Sequence, residues 1–147
     1  MIAWRLCRRP HADLSGEGAR QFGGRWNSPG RPVVYLAEHP ALAALELRVH
    51  LDLPFELIPA DFVLMRVAVA DGTISPETPA STATVEAGNA WLTGSQSAAL
   101  RVPSVLAPHS WNVLLNPRHP DAGQAEILNI EPFGFDPRLW RPLAGEG

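Results

Sequence analysis

The chain contains no lysine; all twelve of its basic residues are arginines. That absence excludes a lysine nucleophile, a Schiff base and a phosphate loop ending in Gly-Lys, and it leaves guanidinium as the one strong side-chain cation for a phosphate or carboxylate. Cysteine is almost as scarce. Cys7 alone can form no intramolecular disulfide and offers no cysteine cluster to zinc, and the five histidines show no zinc spacing, so no metal is expected. Long apolar runs are missing too: no stretch reaches the roughly 18 residues of a membrane span. The opening MIAWRLCRRPH places its charges after its apolar residues, the reverse of a secretory signal. A cytoplasmic protein without a membrane partner is expected. An overall basic balance is also lacking. The net charge is -3, and the arginines gather in the front half, seven against four acidic residues up to position 50 and five against eleven beyond it. This distribution suits a local anion pocket and not a nucleic-acid surface.

What is present reads as one globular domain, residues 1–147, with 46% apolar and 18% charged residues. Residues 1–7 alternate around Trp4 and Leu6 as a first strand that carries Arg5. Residues 11–24 are polar and glycine-punctuated, hence a loop. The run 33–37 (VVYLA) is a buried strand, and Pro40 opens a helix that continues to about Leu51. Further strands are expected over 62–70, 98–106, 111–115 and 126–130, with Pro103 confining the second of these to a sheet edge or marking a bulge beside Ser104. Residues 75–84 form a proline- and threonine-rich surface loop. A short helix over 85–92 carries an unfavourable interior Gly88. The tail docks through Phe133, Phe135, Leu139 and Trp140. Strands outnumber helices, which gives an α+β domain with a mixed or antiparallel core.

The stretch 21–50 holds the chemistry. Gly23-Gly24 and Asn27-Ser28-Pro29-Gly30 are turn sequences on either side of Arg25, and the strand 33–37 ends near Tyr35, the single tyrosine. On a helical wheel Glu46 shares an arc with Leu42, Leu45 and Val49, so its carboxylate is aimed inward, where it needs a partner or a pocket. Two readings follow. In one, Arg25 and Glu46 form a buried ion pair and Tyr35 fills core. In the other, an arginine for phosphate, an aromatic for stacking and a lone carboxylate form a site that cleaves an N-glycosidic bond through an oxocarbenium-like transition state. His50, one helical turn beyond Glu46, reads as a helix-end hydrogen-bonding group, and Asn112 and Asn116 as capping or turn residues.

The segments GRWNSPGRPVVYLAEHPALAALE, WLTGSQSAALRVPSVLAPHSWNVLLNPRHPD and PFGFDPRLW, in this order, resemble the RES domain, the toxin half of bacterial RES–Xre toxin–antitoxin pairs. The resemblance covers nearly the whole chain. It implies an ADP-ribosyltransferase-like fold with a mixed, mainly antiparallel β core and a few short helices. It also implies a toxin that takes NAD+ as substrate, with no resident cofactor, and breaks the nicotinamide–ribose bond by hydrolysis or phosphorolysis; protein ADP-ribosylation and an inactive nucleotide- or antitoxin-binding module are the alternatives. Carried over, the family's catalytic positions fall on Arg25, Tyr35, Glu46 and Ser104, with Ser28 and Ser110 as rivals for the serine. Arg5 is expected to help Arg25 and Tyr35 bind the substrate. An Xre-like helix-turn-helix antitoxin that blocks the site, and a toxin homodimer within the complex, are the implied partners.

Overall fold

The first strand, β1 (Ile2–Arg8), shows how the sequence assigns its faces. Successive strand residues point to opposite sides. Trp4 and Leu6 therefore pack with Leu42, Ala43, Phe62 and Leu64, while Ala3 and Cys7 pack on the other side with Leu36, Met65 and Val67. The computed structural model describes residues 1–71, 74–75 and 83–141. Within them lie six further strands: β2 (Val34–Ala37), β3 (Phe62–Ala68), β4 (Ile74–Ser75), β5 (Ala99–Pro103), β6 (Trp111–Leu115) and β7 (Glu126–Pro132). They form one sheet in the order β4-β5-β6-β2-β1-β3-β7. Every neighbouring pair is antiparallel except β4 with β5. With α1 (Glu17–Phe22), α2 (Pro40–Arg48) and α3 (Thr84–Gly94), this is an α+β fold with a mixed, mainly antiparallel core and short helices.

The face of the sheet that carries Trp4, Leu6, Tyr35, Ala37 and Leu114 is covered in two separate places. Helix α2 and the aromatic tail pack over β1 and β3. Trp26 and α3, through Ala87 and Trp91, pack over Leu100, Val102 and Leu114 of β5 and β6. A cleft stays open between the two covers.

Several elements depart from expectation for identifiable reasons. Helix α1 lies inside the expected loop; at six residues it is too short to display a period, and it runs from Gly16 at φ 69° to Gly23 at φ 73°. Pro103 ends β5 beyond the reach of β4, which pairs only with Ala99 and Leu100, so its missing N–H breaks no ladder. Gly88 does lie inside α3, because a Cβ there would stand 1.7 Å from the Trp26 carbonyl oxygen. The helix approaches the loop more closely than any other residue permits. In the tail, Phe135 packs edge-on against Phe62, Phe133 and Trp140 at centroid distances of 5.5, 5.1 and 5.5 Å. Leu139, expected to dock with them, is 50% exposed. Of the expected surface loop, residues 76–82 lie outside the described residues.

Candidate active site

The cleft has a volume of about 900 Å3 and mostly apolar walls, including Trp4, Leu6, Leu47 and Val105. Arg25, Tyr35, Glu46, His50 and Asn112 also line it. Arg25 sits at the tip of a tight turn closed by hydrogen bonds between Gly24 and Asn27, N–H to carbonyl in both directions at 3.0 and 3.4 Å. Side-chain hydrogen bonds fix this turn to its surroundings. Asn27, 1% exposed, donates through Nδ2 to the carbonyls of Ala19, Ser28 and Arg31. Its Oδ1 accepts from the Tyr35 hydroxyl at 2.6 Å, and that hydroxyl accepts from the Trp26 N–H at 2.9 Å. From α3, the Thr84 hydroxyl donates to the Arg25 carbonyl at 2.7 Å, and Asn89 bonds both the N–H and the hydroxyl of Ser28.

Tyr35 thus gives its ring to the cleft wall and its hydroxyl to the arginine turn. Burial pushes the phenol up to about 12, with the Trp26 N–H opposing that shift, so it stays a neutral donor near neutral pH. Gly24 is what lets the hydroxyl in: a Cβ there would stand 2.7 Å from that oxygen. Arg25 itself is exposed, and among the described residues no ion pair joins it to Glu46. The buried-pair reading is therefore set aside.

Glu46 stands on the wheel between Leu42 and Ala43, the two buried residues of α2. The inward arc continues to Leu47 and His50, both at the cleft, instead of to Leu45, which is 41% exposed. The buried stripe of α2 thus lies on the side of Leu42 away from Leu45. Glu46 Oε1 accepts from the Ser104 hydroxyl at 2.7 Å and from Asn112 Nδ2 at 2.9 Å. Ser104 follows Pro103 in a turn: its N–H donates to the Ser110 carbonyl, and its Oγ accepts from the Leu106 N–H at 3.1 Å. Of the three candidate serines, Ser104 is the one at the carboxylate. Ser28 is engaged with Asn89, and Ser110 meets Ser104 through its backbone.

Two expectations are corrected. Arg5 does not reach the cleft. It alternates with Trp4 and Leu6, so its guanidinium lies on the opposite face against Met65 and donates to the carbonyls of His11 and Asp13 at 2.5 and 3.1 Å. Asn112 is no cap; it lies within β6 opposite Ala37. Parity could have found it, since in WNVLL the residues at 112 and 114 share one face while Val113 and Leu115 fill the opposite core.

The RES domain family model matches residues 2–136. The chain belongs to the RES domain family. The RES domain is 39% identical to "Toxin Res" of Pseudomonas putida over 95% of this chain and all of that protein. It is also 39% identical to the "Prs ADP-ribosylating toxin" of a Sphingobium species over 88% of each chain. MbcT of Mycobacterium tuberculosis is matched both in sequence and in structure. A protein named "NAD(+) phosphorylase MbcT" is 54% identical over 39 residues, covering 25% of this chain and 21% of that one. The crystal structure of the MbcT-MbcA toxin-antitoxin complex superposes with a TM-score of 0.73 at 22% identity, over 95% of this chain and 86% of that chain. That match shows a shared fold.

Proposed function

We propose that this RES domain is the toxin of a toxin–antitoxin pair, that it binds NAD+, and that it cleaves the nicotinamide–ribose bond. The observation that carries the reading is the opposition, across one largely apolar cleft, of an exposed arginine on a rigid turn and a carboxylate held by two neutral donors. The cleft's volume falls within the range of roughly 300–1,000 Å3 usual for small-molecule and cofactor sites. In this reading Arg25 pairs with the pyrophosphate, and the Tyr35 ring forms an aromatic wall for the nicotinamide or its ribose. Glu46 stabilises the positive charge that grows on the ribose as the C–N bonding pair leaves with nicotinamide. The names of the P. putida, Sphingobium and M. tuberculosis relatives support it.

Purified protein incubated with NAD+ should release free nicotinamide, and Glu46→Gln should slow that release by about 100-fold or more. A wild type that releases none, or a Glu46→Gln variant that releases as much, refutes the reading. The relatives' names differ in acceptor, and product analysis separates the outcomes. A phosphate-dependent reaction ending in phosphorylated ADP-ribose marks a phosphorylase, free ADP-ribose a glycohydrolase, and label carried onto protein an ADP-ribosyltransferase. The inactive binding module predicts tight NAD+ binding without nicotinamide.

An antitoxin is the proposed partner, of the Xre-like helix-turn-helix kind that the family resemblance implies, in the cytoplasm where NAD+ is available. Support comes from the toxin–antitoxin title of the structural match and from the rim of the cleft, where Phe22, Val49 and Val105 are 81, 52 and 57% exposed. Exposed apolar residues gathered around a cleft mark a protein interface. Growth arrest on expression, relieved by the adjacent gene product, tests the pairing, and the mass of the complex tests the proposed toxin homodimer.

A further inference from the structure

We propose that the two oxygens of Glu46 have separate tasks, and that Asn112 is a positioning residue that enforces the division. The proposal rests on the NAD+-cleaving function above. Both side-chain donors that reach Glu46 converge on the same oxygen, Oε1: Ser104 Oγ at 2.7 Å and Asn112 Nδ2 at 2.9 Å. Among the described residues no hydrogen bond or ion pair engages Oε2. The carboxylate lines the cleft, so Oε2 is the oxygen left for the substrate.

The two donors come from different parts of the sheet. Asn112 is paired on both sides, with Ala37 of β2 and Val102 of β5, so its backbone is fixed within the sheet. Ser104 sits one residue past β5, in a turn closed by Ser110. A glutamate side chain has three rotatable torsions and gives up substantial freedom when held. One donor leaves the carboxylate free to pivot about that bond; two donors approaching from two elements fix its plane. Both donors are neutral, so they orient the carboxylate without cancelling its charge, as an arginine would. The amide orientation follows from chemistry: an ionised carboxylate only accepts, so the NH2 group must face it.

The consequence for the reaction is specific. As the C–N bond breaks, the negative charge on Oε2 faces the developing oxocarbenium, or accepts the proton of an attacking water or phosphate. Oε1, saturated by two donors, does neither. Asn112 touches no reacting atom and acts through Glu46.

The experiment measures kcat and KM for nicotinamide release, calorimetric NAD+ affinity and the melting temperature of wild type, Asn112→Ala, Asn112→Asp, Ser104→Ala, Glu46→Gln and the Glu46→Gln/Asn112→Ala double variant. Loss of one charge-assisted hydrogen bond should lower kcat by about 10- to 100-fold in Asn112→Ala while KM stays within about twofold. In the Glu46→Gln background the same change should cost less than about twofold, because the group it positions is gone. Asn112→Asp keeps the shape but donates only when protonated, so its activity relative to wild type should rise as pH falls from about 8 to about 5. An undiminished kcat in Asn112→Ala, an equal loss in the Glu46→Gln background, or a flat pH ratio for Asn112→Asp overturns the proposal. A wild type inactive on NAD+ refutes the functional reading alone. The 13C signal of the Glu46 carboxylate then decides the positioning claim, which stands if Asn112→Ala shifts that signal and falls if the signal is unmoved.

Discussion

Tyr35→Phe separates two roles that one residue can play in this cleft, because phenylalanine keeps the ring and removes only the hydroxyl. If the ring is all that matters, the variant behaves as wild type. The geometry predicts otherwise. The hydroxyl joins the Trp26 N–H to Asn27 Oδ1 at 2.9 and 2.6 Å, and Trp26 and Asn27 are only 3 and 1% exposed. Its removal strands a donor and an acceptor, at about 1–3 kcal/mol each. The cleft beside them can admit a water that recovers part of this, so a net loss of about 2–3 kcal/mol is expected. In a domain of this size each kcal/mol moves Tm by about 2–4 °C, so Tm should fall by about 4–12 °C. The loss is concentrated in the turn that carries Arg25. KM for NAD+ should therefore rise by about tenfold or more, with kcat falling less, as for a residue that presents a binding group. Thermal unfolding and nicotinamide-release kinetics on the same preparation supply both numbers. A Tyr35→Phe protein with wild-type Tm and KM refutes the claim that the hydroxyl holds the turn.

The same phenol should make stability fall in alkali. Its folded value is raised to about 12 from 10, so its contribution is complete below pH 10 and is lost as pH climbs through 12. That is up to about 3 kcal/mol, visible as a decline in urea midpoint that Tyr35→Phe lacks. Gly88→Ala gains about 1 kcal/mol of helix propensity but drives a methyl into the Trp26 carbonyl, so the net effect should be a loss of about 2 kcal/mol or more, read as a lower Tm. Arg25→Ala should leave Tm nearly unchanged, within about 0.5 kcal/mol of stability, while weakening NAD+ binding at least tenfold by calorimetry; a large drop in Tm would restore the buried-pair reading. Arg5→Gln should do the reverse, since Arg5 braces the carbonyls of His11 and Asp13 on the far face: lower Tm, with KM for NAD+ within about twofold.

The sequence made one wall of the site visible and concealed how it is held. Arg25 between two turn sequences, Tyr35 on a β-branched strand and Glu46 on the inner side of a proline-initiated helix are local patterns, and local patterns are legible in a single chain. Tyr35 as a clamp was not legible. Its partners Trp26 and Asn27 are nine and eight residues away, and only the Gly24–Asn27 turn brings them under the hydroxyl. Arg5 was misassigned for a similar reason. Strand parity puts it opposite Trp4 and Leu6, but which parity faces the cleft depends on where α2 and α3 pack.

Gly88 and Asn112 make the broader point, because each breaks a local rule. Glycine inside a helix and a polar amide inside a buried strand both look like weak points when only their own elements are considered. Each becomes intelligible through a contact more than 60 residues away in the chain, Gly88 against the Trp26 carbonyl and Asn112 against the Glu46 carboxylate. The two contacts do parallel work. Helix α3 holds the turn that presents Arg25, and strand β6 with the turn after β5 holds the carboxylate of Glu46, so the second half of the chain orients the charged groups that the first half supplies. Residues that violate local preference are thus the places where the site's supporting contacts are concentrated, as expected when function overrides the local optimum.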